Sequence, residues 1–76
     1  MYLELITPDQ TLFEGEVISV KFPGTAGKFE TLNNHAPLIS SLEKGTLGVK
    51  TSEGIQNFEI SGGIVEVVNN KIIVLA

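Results

Sequence analysis

A chain of 76 residues with 42% apolar and 18% charged residues holds one small domain, which buries about 60–65% of the surface its unfolded form exposes, and it is too apolar to be disordered. Five lysines and no arginine stand against nine acids, for a net charge of −4, which argues against the basic surface that binds nucleic-acid phosphates. The absence of cysteine excludes disulfides and thiolate metal sites, and the longest apolar run, Ile72 to Ala76, falls well short of the about 20 residues of a membrane-spanning helix.

From the amino terminus, Met1-Tyr2-Leu3-Glu4 carries an acid where a leader has basic residues and a long apolar run, so it reads as the native start. Leu3 and Leu5 alternate about Glu4, and Thr7-Pro8-Asp9 supplies a turn. Leu12-Phe13 resumes the extended pattern, and Gly15 is expected to bend it. Ile18, Val20 and Phe22 alternate with Ser19 and Lys21 before Pro23 to Gly27 turns the chain. Between His35 and Gly45 the pattern is ambiguous: Pro37, the Leu38–Leu42 spacing and Gly45 fit a two-turn helix as well as a strand. Further turns follow at Glu43-Lys44-Gly45, Ser52-Glu53-Gly54, Gly62-Gly63 and Asn69-Asn70, separating the alternating pairs Phe58/Ile60 and Val65/Val67 and the final run. A turn roughly every ten residues with period-two alternation predicts a sandwich or barrel. Its expected core is Leu3, Leu5, Ile18, Val20, Phe58, Ile60, Val65, Val67 and at least two of Ile72 to Leu75.

Catalytic chemistry finds little to build on. A nucleophilic triad needs a base and an orienting acid, and the only histidine, His35, and the only aspartate, Asp9, are not grouped. One histidine without cysteine does not make a zinc site. Gly24-Thr25-Ala26-Gly27-Lys28 fails the phosphate-loop pattern at Phe22 and Phe29, and no dinucleotide fingerprint occurs. Glu14, Glu16, Glu59 and Glu66 fit solvated outer strand faces. We expect no catalytic residue, no cofactor and no metal. What stands out is surface: Lys71 to Leu75 is apolar on both faces, and Ile64 and Val68 share a side with Glu66, so one face meets a neighbouring strand or a partner.

Five segments in order, Leu3 to Pro8, Leu12 to Val17, Phe22 to Gly27, Asn34-His35-Ala36-Pro37-Leu38-Ile39 and Ser61-Gly62-Gly63-Ile64-Val65-Glu66-Val67, closely resemble the epsilon subunit of bacterial F-type ATP synthases. The resemblance covers residues 2 to 76. The chain departs from that family at Asn33-Asn34, where a Pro-Gly or Pro-Asn pair is usual, at Glu30 in place of a glycine, and at Lys28, where an acid is common.

The resemblance implies an all-β fold, a flattened antiparallel β-sandwich of two five-stranded sheets, a single amino-terminal domain over residues 1 to 76, with His35 to Leu42 extended. It implies a non-catalytic rotor subunit of the central stalk, peripheral on the cytoplasmic side of the bacterial inner membrane. Such a subunit joins gamma to the c-ring and helps couple proton flow to ATP synthesis. Thr7, His35, Ser40, Ser61 and Glu66 match positions facing gamma. Thr25, Ala26, Gly27, Lys28, Phe29 and Glu30, with Ala36 and Pro37, match those approaching the polar loops of the c-ring. The family's carboxy-terminal helical hairpin, which can restrain ATP hydrolysis and in some members binds ATP, is expected to be absent, so this chain is expected neither to inhibit nor to bind ATP. The rival readings are a carboxylate enzyme, which needs a deep polar pocket, and a free-standing ligand- or peptide-binding module, which binds through a groove.

Overall fold

The computed structural model describes residues 1–76 as nine strands and no helix: β1 (Tyr2–Ile6), β2 (Thr11–Glu16), β3 (Ser19–Phe22), β4 (Phe29–Thr31), β5 (Leu38–Leu42), β6 (Gly45–Thr51), β7 (Gly54–Ile60), β8 (Gly63–Val68) and β9 (Lys71–Leu75). A five-stranded sheet has the order β2-β1-β9-β8-β5, and a four-stranded sheet the order β4-β3-β6-β7. Every pairing is antiparallel except β1 with β9, where the first and last strands run parallel from Tyr2/Lys71 to Ile6/Leu75. The second sheet has four strands rather than the expected five, and a single antiparallel bridge, Gly24 to Leu42, ties the turn after β3 to β5 of the other sheet. There the turn after β3 lies along the end of β5 and Glu43 N donates to Pro23 O at 2.8 Å. Within the ambiguous segment Leu38–Leu42 forms a strand, β5, and no helix, while His35 to Pro37 belong to the loop that leads into it.

Alternation decides the core. Leu3, Leu5, Val20, Phe22, Leu47, Val49, Val65, Val67, Ile72 and Val74 turn inward from the two sheets and are essentially sealed from water. Phe13 on β2 meets Phe58 on β7 edge to face, ring centroids 6.1 Å apart, joining the sheets along one side. Phe22 stacks on Phe29 at 5.0 Å.

Two core expectations change. Ile18 is 47% exposed because the chain crosses between sheets at Val17–Ile18: Val17 takes the inward place, and Ser19 and Val20 are both buried, so period two fails at the crossing. Phe58 is half-buried, since β7 is an edge strand with a neighbour on one side only. The bend expected at Gly15 lies elsewhere. Gly15 pairs in register with Leu3, the irregularity falls between Leu5 and Ile6 opposite Phe13 and Thr11, and the change of sheet comes after Glu16.

Special backbone conformations fall where the sequence carries Gly or Asn. Asn69 and Asn70, at φ of 52° and 61°, form the two-residue turn between β8 and β9 that matches strand twist. Gly63 has φ of 144°, and a Cβ there would lie 2.3 Å from Leu75 O, so β8 can start beside the end of β9 only without a side chain.

Candidate docking surface

The strand directions give the sandwich two ends. At the upper end lie the β1/β2 turn with Thr7, the turn after β3 with Thr25 to Lys28, the Glu43-Lys44 link and the Ser61-Gly62 crossing. At the lower end lie Met1, the loop from Leu32 to Pro37 and the Asn69-Asn70 turn. Side-chain hydrogen bonds hold both ends. Thr7 Oγ1 donates to Gln10 O at 3.0 Å, and Thr25 and Ser41 hydroxyls meet at 2.8 Å. Below, the Met1 ammonium donates to Asn33 Oδ1 at 3.1 Å and Asn34 N to Asn70 Oδ1 at 2.9 Å, which fixes the His35 loop against β9's entry.

Between the ends, the outer face of the five-stranded sheet can be read off the register. One row crosses it as Glu14, Glu4, Ile73, Glu66, Ile39; the row above as Ile6, Leu75, Ile64, Ser41; the row below as Glu16, Tyr2, Lys71, Val68. Over β9, β8 and β5 this face is mostly apolar around Glu66, Ser41 and Lys71, with Ile39 69% and Leu75 52% exposed and Ile64 and Val68 beside them. Over β1 and β2 it is charged: Lys71 Nζ lies 3.0 Å from Glu4 Oε1. Partial burial raises the Tyr2 phenol above its usual pKa, and Glu14, Glu4 and Glu16 raise it further. A contiguous apolar patch with an acidic margin is how a soluble domain presents a protein contact.

The residues expected at gamma are distributed around this face. Glu66 stands exposed in its middle, between Ile73 and Ile39. Thr7 and Ser61 lie at its upper margin, and His35 below it, half-buried with Nδ1 2.7 Å from Ala36 O. Ser40 pairs with buried Val65 and so turns to the inner side of edge strand β5. The residues expected at the ring are separated: Thr25 to Glu30 belong to the upper end, and Ala36 and Pro37 precede β5 at the lower one. Ile39 also stands beside Glu66, a place that depends on a strand register no local pattern gives.

The other outer face differs. An open hollow of about 700 Å³ lies on the four-stranded sheet around Gly48, bordered by Lys21, Lys28, Lys44, Glu30 and Glu43. It is a mixed-charge depression, without the convergent polar groups of a catalytic pocket. No three His, Asp or Glu residues come together to hold a metal ion.

The exposed apolar residues on the outer face of the five-stranded sheet give this β-sandwich a surface suited to a protein contact. Residues 1–76 match the β-sandwich domain of the ATP synthase delta/epsilon chain throughout, and the chain belongs to that family. It is 40% identical over 74 residues to the ATP synthase epsilon chain of Chlorobaculum tepidum, covering 96% of this chain and 84% of that one. It is 38% identical over 73 residues to that of Leptospira borgpetersenii, covering 96% of this chain and 58% of the relative. The chain thus spans a little over half the length of the Leptospira relative. Its fold superposes with a TM-score of 0.90 on a chain of the Euglena gracilis mitochondrial ATP synthase solved as OSCP/F1/c-ring, at 23% identity and covering 97% of this chain and 48% of that one.

Proposed function

We propose that this chain is the sandwich domain of a rotor subunit in an F-type ATP synthase, peripheral on the cytoplasmic side of the membrane, performing no chemistry of its own. The observation that carries the reading is the apolar outer face of the five-stranded sheet in a chain belonging to the delta/epsilon family. Gamma covers that face, with Ile39, Ile64 and Leu75 as apolar anchors and Glu66, Thr7, Ser61 and His35 in or around them. Ser40 contributes from the β5 edge. A flat ring surface meets one end of a sandwich, and the polar upper turns, Thr25 to Glu30, suit the polar loops of a c-ring. Ala36 and Pro37 then border the gamma face with His35. In this arrangement the domain is a rigid spacer that turns with gamma and helps keep proton flow in step with ATP synthesis. Residues 1–76 contain neither helix of the family's hairpin, so restraint of hydrolysis and ATP binding are not expected of these residues.

The test is to add the purified chain to a catalytic head that contains gamma but lacks epsilon. Co-migration with the head, unchanged ATP hydrolysis and no ATP binding by the chain alone are expected. Failure to bind the head would overturn the rotor reading; strong inhibition would overturn the assignment of restraint to the hairpin.

A further inference from the structure

A two-sheet sandwich has four edge strands, each a row of unpaired N–H and C=O groups that soluble proteins disarm with charges, bulges, shortness or a covering segment. Three of the four edges here are disarmed. β2 carries Glu14 and Glu16 and a register irregularity. β4 is three residues long. β5 is covered at its end by Gly24 and Thr25, with Thr25 N donating to Ser41 O at 3.2 Å.

β7 has none of these devices. It runs seven residues, Gly54 to Ile60, without proline, and pairs with β6 in unbroken register. Its first four residues are exposed, Ile55 at 68%. Its one charge, Glu59, accepts a hydrogen bond from Thr46 Oγ1 on the adjacent strand. The two-residue Ser52-Glu53 turn makes Thr51/Gly54 the closing hydrogen-bonded pair. Bonding then alternates along the ladder, so Gln56, Phe58 and Ile60 bond to β6, and the N–H and C=O groups of Ile55, Asn57 and Glu59 point off the sheet.

We infer that β7 is a self-pairing edge: two copies of this chain join antiparallel through β7 about a two-fold axis at Asn57, fusing their four-stranded sheets into one. Among antiparallel registers, the one with Asn57 opposite Asn57 uses all the free groups of Ile55, Asn57 and Glu59 on both copies, and a shift by two residues strands some of them. The same register sets no like charges against one another across the axis. Ile55 stands opposite the second copy's Glu59, and the row Lys50, Ile55 continues into that Glu59. The contact is a single strand pair, smaller than a standard stable interface, so the association is weak and concentration-dependent. It leaves the outer face of the five-stranded sheet free, and it does not rest on the gamma reading.

Sedimentation equilibrium of the 76-residue chain over a concentration series to the millimolar range tests it. A monomer–dimer equilibrium is expected. Asn57→Pro removes a free-edge N–H, at a site where proline is tolerated, and is expected to be monomeric. Ile55→Lys sets an opposite charge against the second copy's Glu59 and tightens association about three- to tenfold, and Ile55→Glu weakens it by as much. Thermal melting confirms that each variant folds; should Asn57→Pro unfold, the two Ile55 variants decide alone. Wild-type chain that stays monomeric throughout, a folded Asn57→Pro variant that still dimerises, or Lys and Glu at Ile55 acting in the same direction would overturn the inference.

Discussion

The two sheets have alike inner faces and unlike outer ones. Inward, both present Leu, Ile, Val and Phe sealed from water. Outward, the five-stranded sheet shows Ile39, Ile64, Ile73 and Leu75 with Glu66 among them, whereas the four-stranded sheet shows Lys21, Glu30, Lys50, Asn57 and Glu59. Ile55 is the one large apolar exception on that second face. A sandwich needs only its inner faces to fold, so an outer face that stays apolar marks a surface kept for something else. The difference also separates two classes of substitution, those that act on folding and those that act on docking.

The largest effects belong to the shared interior. Phe22→Ala, which removes a sealed ring stacked on Phe29, is expected to cost about 3–5 kcal/mol and to lower the melting temperature by roughly 4–8 °C per kcal/mol. Phe58→Ala is expected to cost roughly half as much, since its ring is half-buried. Equal losses at the two positions, read from urea unfolding, would show that the edge packing is tighter than the burial pattern indicates.

On the outer faces, Ile64→Asp is expected to weaken binding to gamma on the order of tenfold or more while leaving the melting temperature within a few degrees. Ile55→Asp on the opposite face changes that affinity little. Titration of each variant against a gamma-containing head by calorimetry distinguishes them, and equal losses would abolish the distinction between the faces.

Smaller again is the effect at Thr31, fully buried on β4 with its hydroxyl unpartnered. Thr31→Val keeps the shape and removes the unsatisfied group, so a gain of about 1 kcal/mol is expected from denaturant unfolding. A loss would mean that the hydroxyl has a partner, such as a bound water.

The smallest effect is electrostatic and confined to the acidic margin. Tyr2 holds its proton above the ordinary value of 10.0, through partial burial first and Glu14, Glu4 and Glu16 after it. A raised folded-state pKa contributes stability that is present below the unfolded value and lost as the pH rises through the folded one. Absorbance titration of the phenol is expected to show a lower midpoint in Glu14→Gln than in the parent chain, and no change would mean that burial alone sets it.

Much of the fold was legible locally. Alternation at Leu3/Leu5, Val65/Val67 and Ile72/Val74 identified inward residues because a strand's side chains alternate whatever it pairs with. Asn69-Asn70 and Gly62-Gly63 marked connections because few residues adopt their backbone angles. The ordered segments from Leu3 to Val67 carried the family resemblance. Other features depended on the assembled sheets. Ile18 turned outward because the crossing between sheets resets the alternation. Phe58 was left half-covered because β7 has one neighbour. Ile39 came to lie beside Glu66, and Ala36 and Pro37 at the far end from Thr25, because register and strand direction join residues distant in sequence. Which residues could be buried and where the chain could turn were set locally, since both follow from side-chain chemistry and backbone angles. Tertiary structure alone decided which apolar residues stay outside and which edge stays open, since both depend on what each strand has for a neighbour.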